Sequence, residues 1–252
     1  MTDGSHQTVR RFARSLNLLV TSLVDFVFPA RCPLCFRPTQ SSDPHALCSP
    51  CLSKVTFISP PFCTKCGIPF TSRTEKSHLC GRCLIEETSY GRARAVCTFG
   101  GSAKTAIHTF KYQNKTYLAK TLIGLLEMSP VQFTIDHYDC LLAVPLHKNR
   151  LRDRGYNQSL LLVREISHRC GVPVDDRLLE RTRDSAAQTG LTGPERRENV
   201  KGVFSLGASP VGKTILLVDD VFTTGATVNE CAEVLLRGGA EKIDVLTVAR
   251  AV

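Results

Sequence analysis

Two groups of residues in this 252-residue sequence have the types and spacing to do chemistry. The first is Ile215-Leu-Leu-Val-Asp-Asp-Val-Phe-Thr-Thr-Gly-Ala-Thr227, an apolar run that ends in two adjacent carboxylates, Asp219 and Asp220. It continues into a loop of Thr223, Thr224, Gly225, Ala226 and Thr227. Carboxylates accept hydrogen bonds from vicinal hydroxyls. Threonine hydroxyls, backbone N–H groups beside a glycine and the positive end of a following helix hold a phosphate. Together they suit a sugar phosphate.

The second group is four Cys-x-x-Cys pairs, Cys32/Cys35, Cys48/Cys51, Cys63/Cys66 and Cys80/Cys83, separated by 12, 11 and 13 residues. Two thiolates on one tight turn reach a single ion, and a second turn about a dozen residues on completes a tetrahedral site. Four sulfur ligands select Zn²⁺, with an iron-sulfur cluster as the competing chemistry. The sequential assignment places Cys32, Cys35, Cys48 and Cys51 on one ion and Cys63, Cys66, Cys80 and Cys83 on another. A cross-braced arrangement is the alternative. Closed four-sulfur sites leave no open coordination position, so both ions are expected to be structural, with His45 and His78 as bystanders. Paired knuckles of this kind belong to metal sites rather than secreted disulfide scaffolds, which implies a reducing, cytoplasmic setting.

The elements that must position these groups are legible from hydrophobic pattern. Ile215–Val218 reads as a buried strand. Val228, Cys231, Val234, Leu235 and Leu236 give helical spacing after the loop, stopped at Gly238-Gly239, and Ile243–Val248 reads as the next strand. Asp139–Val144 is a further strand candidate, followed by a loop and a helical pattern through Leu160, Leu161, Val163 and Ile166. Strand, helix, strand with short connections predicts a parallel α/β sheet whose ligand lies at the carboxyl ends of the strands. The loop after Val144 holds Lys148, Arg150, Arg152 and Arg154 against Asp153, an anion-site candidate. The stretch from Arg181 to Val200 reads as a long mobile loop whose arginines close over a bound phosphate. Gly207-Ala-Ser-Pro-Val-Gly-Lys-Thr214 matches the nucleotide-binding P-loop pattern letter for letter. That pattern needs a helix after it, and a strand follows here, so a turn feeding the strand is expected.

At the amino terminus, Leu16, Leu19, Val20, Leu23, Val24 and Val27 recur at helical spacing behind Arg10, Arg11 and Arg14. The stretch carries Asn17 and Asp25 and is too short to span a bilayer, so an amphipathic helix packing on the protein is expected and no transmembrane segment. A membrane-surface helix is the alternative. The chain divides by composition into this helix (1–29), a double zinc-ribbon module (30–90) and an α/β domain (91–252).

With these residues in view, the segment Ile215–Thr227 resembles the 5-phosphoribosyl 1-pyrophosphate (PRPP) motif of type I phosphoribosyltransferases. Four Cys-x-x-Cys knuckles, Phe110-Lys-Tyr112, Val144-Pro-Leu146, Arg154-Gly-Tyr-Asn-Gln158, Gln188-Thr-Gly-Leu191, Arg197-Glu-Asn199 and the acidic motif occur in the order that resembles the ComF and GntX-like family. The resemblance implies an α/β fold of type I phosphoribosyltransferase class, a parallel sheet flanked by helices and preceded by a double zinc ribbon. It implies ribose and PRPP contacts by Asp219, Asp220 and residues 223–227, and a pyrophosphate or anion loop at Lys148, Arg150 and Arg154. The implied cofactors are two structural Zn²⁺, with Mg²⁺ accompanying PRPP or a nucleotide. The implied setting is natural competence and DNA uptake, with single-stranded DNA and competence-pathway proteins as partners. The alternative is an active transferase moving ribose 5-phosphate from PRPP to a nitrogen acceptor; a purely structural interaction protein is the third reading.

The balance of 32 Lys+Arg over 23 Asp+Glu, formally +9, points to an anionic partner, although the count assumes neutral thiols. Eight thiolates and two Zn²⁺ bring +9 down to +5. What remains of the anion-binding argument is local, in the arginine-rich segments around the acidic motif. Aromatic residues are only 7% of the chain, so strand binding by base stacking is sparse and phosphate contacts must carry it.

Overall fold

A computed structural model of the chain describes residues 30–39, 41, 43–71, 76–131, 133–184 and 193–252. The amphipathic helix expected over 1–29 lies outside them, as does the 185–192 part of the expected mobile loop. Packing divides the chain into two compact units, Met1–Leu52 and Ser53–Val252.

The described part of the first unit is a cysteine knuckle closed by an antiparallel bridge between Arg31 and Pro38, followed by a short helix α1 (Ser49–Leu52). Cys32 N donates to Arg37 O at 2.8 Å and Phe36 N to Cys32 O at 2.8 Å. The second unit opens with the same turn 31 residues later. Phe62 bridges Pro69, Cys63 N donates to Ile68 O at 2.8 Å, and Gly67 N donates to Cys63 O at 2.9 Å. The turn needs a left-handed residue, which the second copy supplies as Gly67 (φ +70) and the first as Phe36 (φ +62).

The rest of the second unit is α/β. In chain order its elements are α2 (Gly81–Ile85), β1 (Ala93–Thr98), α3 (Gly101–Tyr112), α4 (Leu118–Glu127), β2 (Cys140–Ala143), α5 (Lys148–Arg154), α6 (Gln158–Cys170), β3 (Leu179–Arg181), α7 (Gly193–Val200), β4 (Phe204–Leu206), β5 (Thr214–Phe222), α8 (Ala226–Arg237) and β6 (Lys242–Arg250). Strands order as β1-β6-β5-β2, all parallel, and β3 pairs antiparallel with β4. Both faces of β2, β5 and β6 are buried, as a parallel sheet requires, and this is why these strands read as continuous apolar runs. One face packs Ile215, Leu217, Leu142 and Val245 against Val228, Cys231 and Leu235 of α8. Cys63 and Cys66 are buried in that same core, with Cys80 and Cys83 packed against it.

Two stretches differ from expectation. The basic segment holding Lys148, Arg150 and Arg154 is the helix α5 rather than a loop. His147 Nδ1 accepts from Asn149 N at 3.3 Å to cap its start, and Gly155 (φ +81) ends it. In the segment 181–200, expected as loop, the last eight residues form α7. Among the described residues no helix is long and apolar enough to cross a membrane.

Candidate functional site

Strand β5 runs four residues past the apolar stretch that announced it, carrying Asp219 and Asp220 into its carboxyl-terminal end. Asp220 is almost fully buried. Ser159, at the start of α6, donates its hydroxyl to Asp219 Oδ1 at 2.8 Å, and the Asp220 amide donates to the same oxygen at 2.9 Å. Ser159 is placed there by Asn157, whose side chain caps α6 by accepting from Ser159 N (3.0 Å) and Leu160 N (3.4 Å) and donates to Val144 O at 3.1 Å. Lys111, in the last turn of α3, brings Nζ to 2.6 Å from Asp220 Oδ2. That contact is ionic; Oδ2 has no partner in hydrogen-bond geometry.

Two adjacent carboxylates, one buried and one half-buried, repel each other when both are ionised. Burial and the neighbouring charge of Asp220 push the Asp219 carboxyl up to about 6, against the lowering influence of Lys111, Ser159 and the Asp220 amide. Burial alone pulls the Lys111 ammonium down, but Asp220 and Asp219 outweigh it and hold the lysine above its ordinary value. The result is a fixed cation against the acidic pair.

The loop after β5 turns at Gly225, whose φ is +81. A Cβ there would lie 2.5 Å from the Phe222 ring, so both the backbone conformation and the space demand glycine. Thr224 Oγ1 accepts from Ala226 N at 3.3 Å, and its carbonyl accepts from Arg82 Nη1 at 2.9 Å. Helix α8 then starts at Ala226, with its positive dipole end at the loop.

These groups line one cavity of about 380 Å³ at the carboxyl ends of β5 and β2. Asp219, Asp220, Thr223, Gly225, Ala226 and Thr227 form one wall, and Lys111, Arg150, Arg154 and Arg181 supply cations. Arg154 donates to Gln158 Oε1 at 2.5 Å and sits 5.3 Å over the Tyr112 ring, which also lines the cavity. Burial and the nearby Arg150 charge lower Arg181 from its ordinary value. The lining thus brings four cationic side chains together with two carboxylates. Of the residues singled out from sequence, Thr224 contributes to the loop but not to this wall, and Lys148 is exposed on the outer side of α5.

Lys111 and Ser159 received no role from sequence, whereas Arg181, expected in a mobile loop closing over a phosphate, ends strand β3 and lines the cavity. Lys111 lay in Phe110-Lys-Tyr112, a stretch noticed only as a family motif. A lone lysine on an amphipathic helix gives no local sign that a strand over 100 residues later carries its partner.

In each cysteine quartet the four Sγ atoms lie within 4.8 Å of one another, grouped sequentially as Cys32/35/48/51 and Cys63/66/80/83. Cys35 and Cys48 Sγ are 3.5 Å apart and Cys66 and Cys80 Sγ 3.8 Å. Tetrahedral Zn–S bonds of about 2.3 Å require sulfur separations of about 3.8 Å. The donor set therefore fits Zn²⁺, which would be held by these thiolates as a structural ion. Cys66 N and Cys80 N donate to Cys63 Sγ at 3.4 and 3.3 Å. Burial opposes ionisation of Cys63, but these amides outweigh it and bring the thiol down to about 6, the ligand form. The P-loop-like stretch places Lys213 Nζ 2.9 Å from Asp175 Oδ2 and runs directly into β5, with no helix to present N–H groups to a phosphate.

Comparison with known proteins agrees with this architecture. Residues 23–84 match a double zinc ribbon domain and residues 157–251 a phosphoribosyl transferase domain. The chain is 34% identical over 227 residues to the DNA utilization protein YhgH of Escherichia coli K12, covering 88% of this chain and 97% of that protein. It is 32% identical to competence protein F of Haemophilus influenzae, covering 89% and 98%. It is 27% identical to competence protein ComFC of Streptococcus pneumoniae, covering 83% and 90%.

Proposed function

The chain belongs to the ComF family of double-zinc-ribbon proteins with a phosphoribosyltransferase domain, and on that premise we propose that it is a cytoplasmic DNA-handling factor of uptake and competence. The observation that carries the reading is the cavity, which an acidic pair, a threonine- and glycine-containing loop and three arginines line together. Its ligand is PRPP or a nucleotide-like ribosyl phosphate. Asp219 and Asp220 accept hydrogen bonds from the ribose hydroxyls. The loop from Thr223 to Thr227 and the start of α8 hold the 5′-phosphate, and Arg150, Arg154 and Arg181 face the remaining phosphates. Mg²⁺ accompanies a diphosphate ligand and offsets its charge. Lys111 holds Asp220 in place and draws the Asp219 carboxyl down against its burial, so the hydroxyl acceptors are set before the ligand arrives.

Single-stranded DNA is the macromolecular partner in this reading, held through its phosphates by α5, whose Lys148, Arg150, Arg152 and Arg154 lie on seven consecutive residues. Transfer of ribose 5-phosphate to a nitrogen acceptor is the less favoured activity, since the relatives are named for DNA utilization and competence rather than for a transferase reaction. The test is fluorescence anisotropy with a labelled 20-nucleotide oligothymidylate. Four phosphate contacts on a single strand give a logarithmic salt slope of about −3, or about 50-fold weaker binding between 50 and 200 mM salt. A flat salt dependence overturns the proposal.

A further inference from the structure

The second cysteine quartet is joined to the ligand loop through two arginines. Arg250, at the end of β6, is 2% exposed; its Nη1 donates to Cys66 O at 2.6 Å and its Nη2 to Cys66 Sγ at 3.4 Å. The same guanidinium lies 4.4 Å over the ring of Phe222, and Tyr90 meets that ring edge-on at 6.1 Å. Phe222 is the last residue of β5, and its ring fills the space that a side chain at Gly225 would need. Arg82, beside the ligand Cys83, donates to the Thr224 carbonyl at 2.9 Å. A third tie runs from Ser89 N to Asn229 Oδ1, 2.8 Å, in the first turns of α8.

The charges fit a metallated site. Four thiolates around Zn²⁺ leave a net −2, which a buried cluster must offset. Arg250 and Arg82 supply two positive charges; Arg82 also donates to the loop at Thr224 O, and Arg250 lays its flat face on Phe222.

We propose that the Cys63/66/80/83 site is a positioning device for the loop from Phe222 to Thr227. Arg82 and Arg250 are the positioning residues, so metal in this quartet and ligand in the cavity stabilise one another. The half of the proposal that concerns ligand rests on the ribosyl-phosphate reading of the cavity; the half that concerns loop rigidity does not. Loss of the metal unties the Cys66 and Cys83 turns on which Arg250 and Arg82 are held, which slackens both ties to the loop. The Cys32/35/48/51 site lies in the other compact unit and carries no such role.

Hydrogen-exchange mass spectrometry on the zinc-loaded full chain tests this, with the amides of 222–227 as the readout and those of 215–218 as the core reference. Arg82→Met is expected to speed exchange in 222–227 about tenfold while leaving 215–218 protected, the loss of one charge-assisted hydrogen bond. Arg82→Lys should recover part of that protection. Cys83→Ser should exceed Arg82→Met, and Cys51→Ser should leave the loop unchanged. If Cys83→Ser fails to fold, Arg82→Met decides. Reciprocity adds a second readout: ribose 5-phosphate should slow chelator-driven release of one zinc and not the other. Unchanged loop exchange in Arg82→Met, or an equal rise in Cys51→Ser, overturns the proposal. Failure of ribose 5-phosphate to bind the wild-type protein would count against the ribosyl-phosphate reading instead, with the exchange data still deciding the coupling.

Discussion

Replacing Lys111 with methionine removes the cation beneath the acidic pair while keeping most of the side-chain volume. At 2.6 Å and an effective dielectric of about 20, the Lys111–Asp220 attraction is on the order of 6 kcal/mol. The protein need not lose all of it, because the acidic pair can hold a proton on Asp219, whose carboxyl is already pushed up to about 6. At pH 7 that escape costs about 1.4 kcal/mol per unit from the ordinary 3.8, or about 4 kcal/mol. The lysine is 21% exposed, and water retained there lowers the loss further, so about 2–4 kcal/mol is expected at pH 7.5. The sign with pH follows from the raised Asp219. A carboxyl whose folded value lies above its unfolded value costs stability as pH rises through that interval, here from about 4 to about 6. Without Lys111 this interval extends upward. The stability gap between wild type and Lys111→Met is therefore widest at pH 7.5 and shrinks to below about 2 kcal/mol at pH 5, where protonation is cheap. The chain has no tryptophan, so urea unfolding followed by far-UV circular dichroism at pH 5, 6, 7 and 7.5 is the assay. A gap that is the same at pH 5 and 7.5, or under about 1 kcal/mol at 7.5, would refute the reasoning.

Gly225→Ala, at φ +81 with its Cβ driven into Phe222, should destabilise by at least about 1–2 kcal/mol and abolish PRPP binding, read by thermal melts and titration. Lys213→Ala should leave ATP and PRPP affinity unchanged and cost under about 1 kcal/mol, since its ammonium is committed to a partly exposed pair with Asp175. Phe36→Gly should stabilise the first knuckle by about 0.5–1 kcal/mol, measured as slower zinc release from that site, because the residue stands at φ +62 where the second copy of the turn has glycine.

What could be read in advance was what local pattern dictates. Strands β2, β5 and β6 are buried on both faces and so appear as unbroken apolar runs. The quartets were visible because ligand spacing on a tight turn is a local property. β1 was missed because Arg94 and Ala93 dilute its apolar character, although Ala93, Val96 and Cys97 are buried. α5 was read as a loop because a seven-residue basic helix between His147 and Gly155 buries none of its residues and shows no amphipathic period. The acidic motif announced the cavity, but Lys111 reaches it from an element 108 residues away from Asp219 in the chain, and tertiary pairing of that kind leaves no mark in local sequence. The integration of the second quartet with the sheet was also invisible. Its cysteines look the same as those of the first; what differs is Arg250, which approaches Cys66 from the far end of the chain.

The central claim is that the cavity above β5 is a ribosyl-phosphate site. Isothermal titration of PRPP with Mg²⁺ into the zinc-loaded protein tests it most directly, beside the double variant Asp219→Asn with Asp220→Asn, each checked for folding by circular dichroism. The account predicts one PRPP bound per chain by the wild type. It predicts about 100-fold weaker binding by the double variant, from two lost charge-assisted hydrogen bonds at about tenfold or more each. No binding by the wild type, or equal affinity in the double variant, would contradict it.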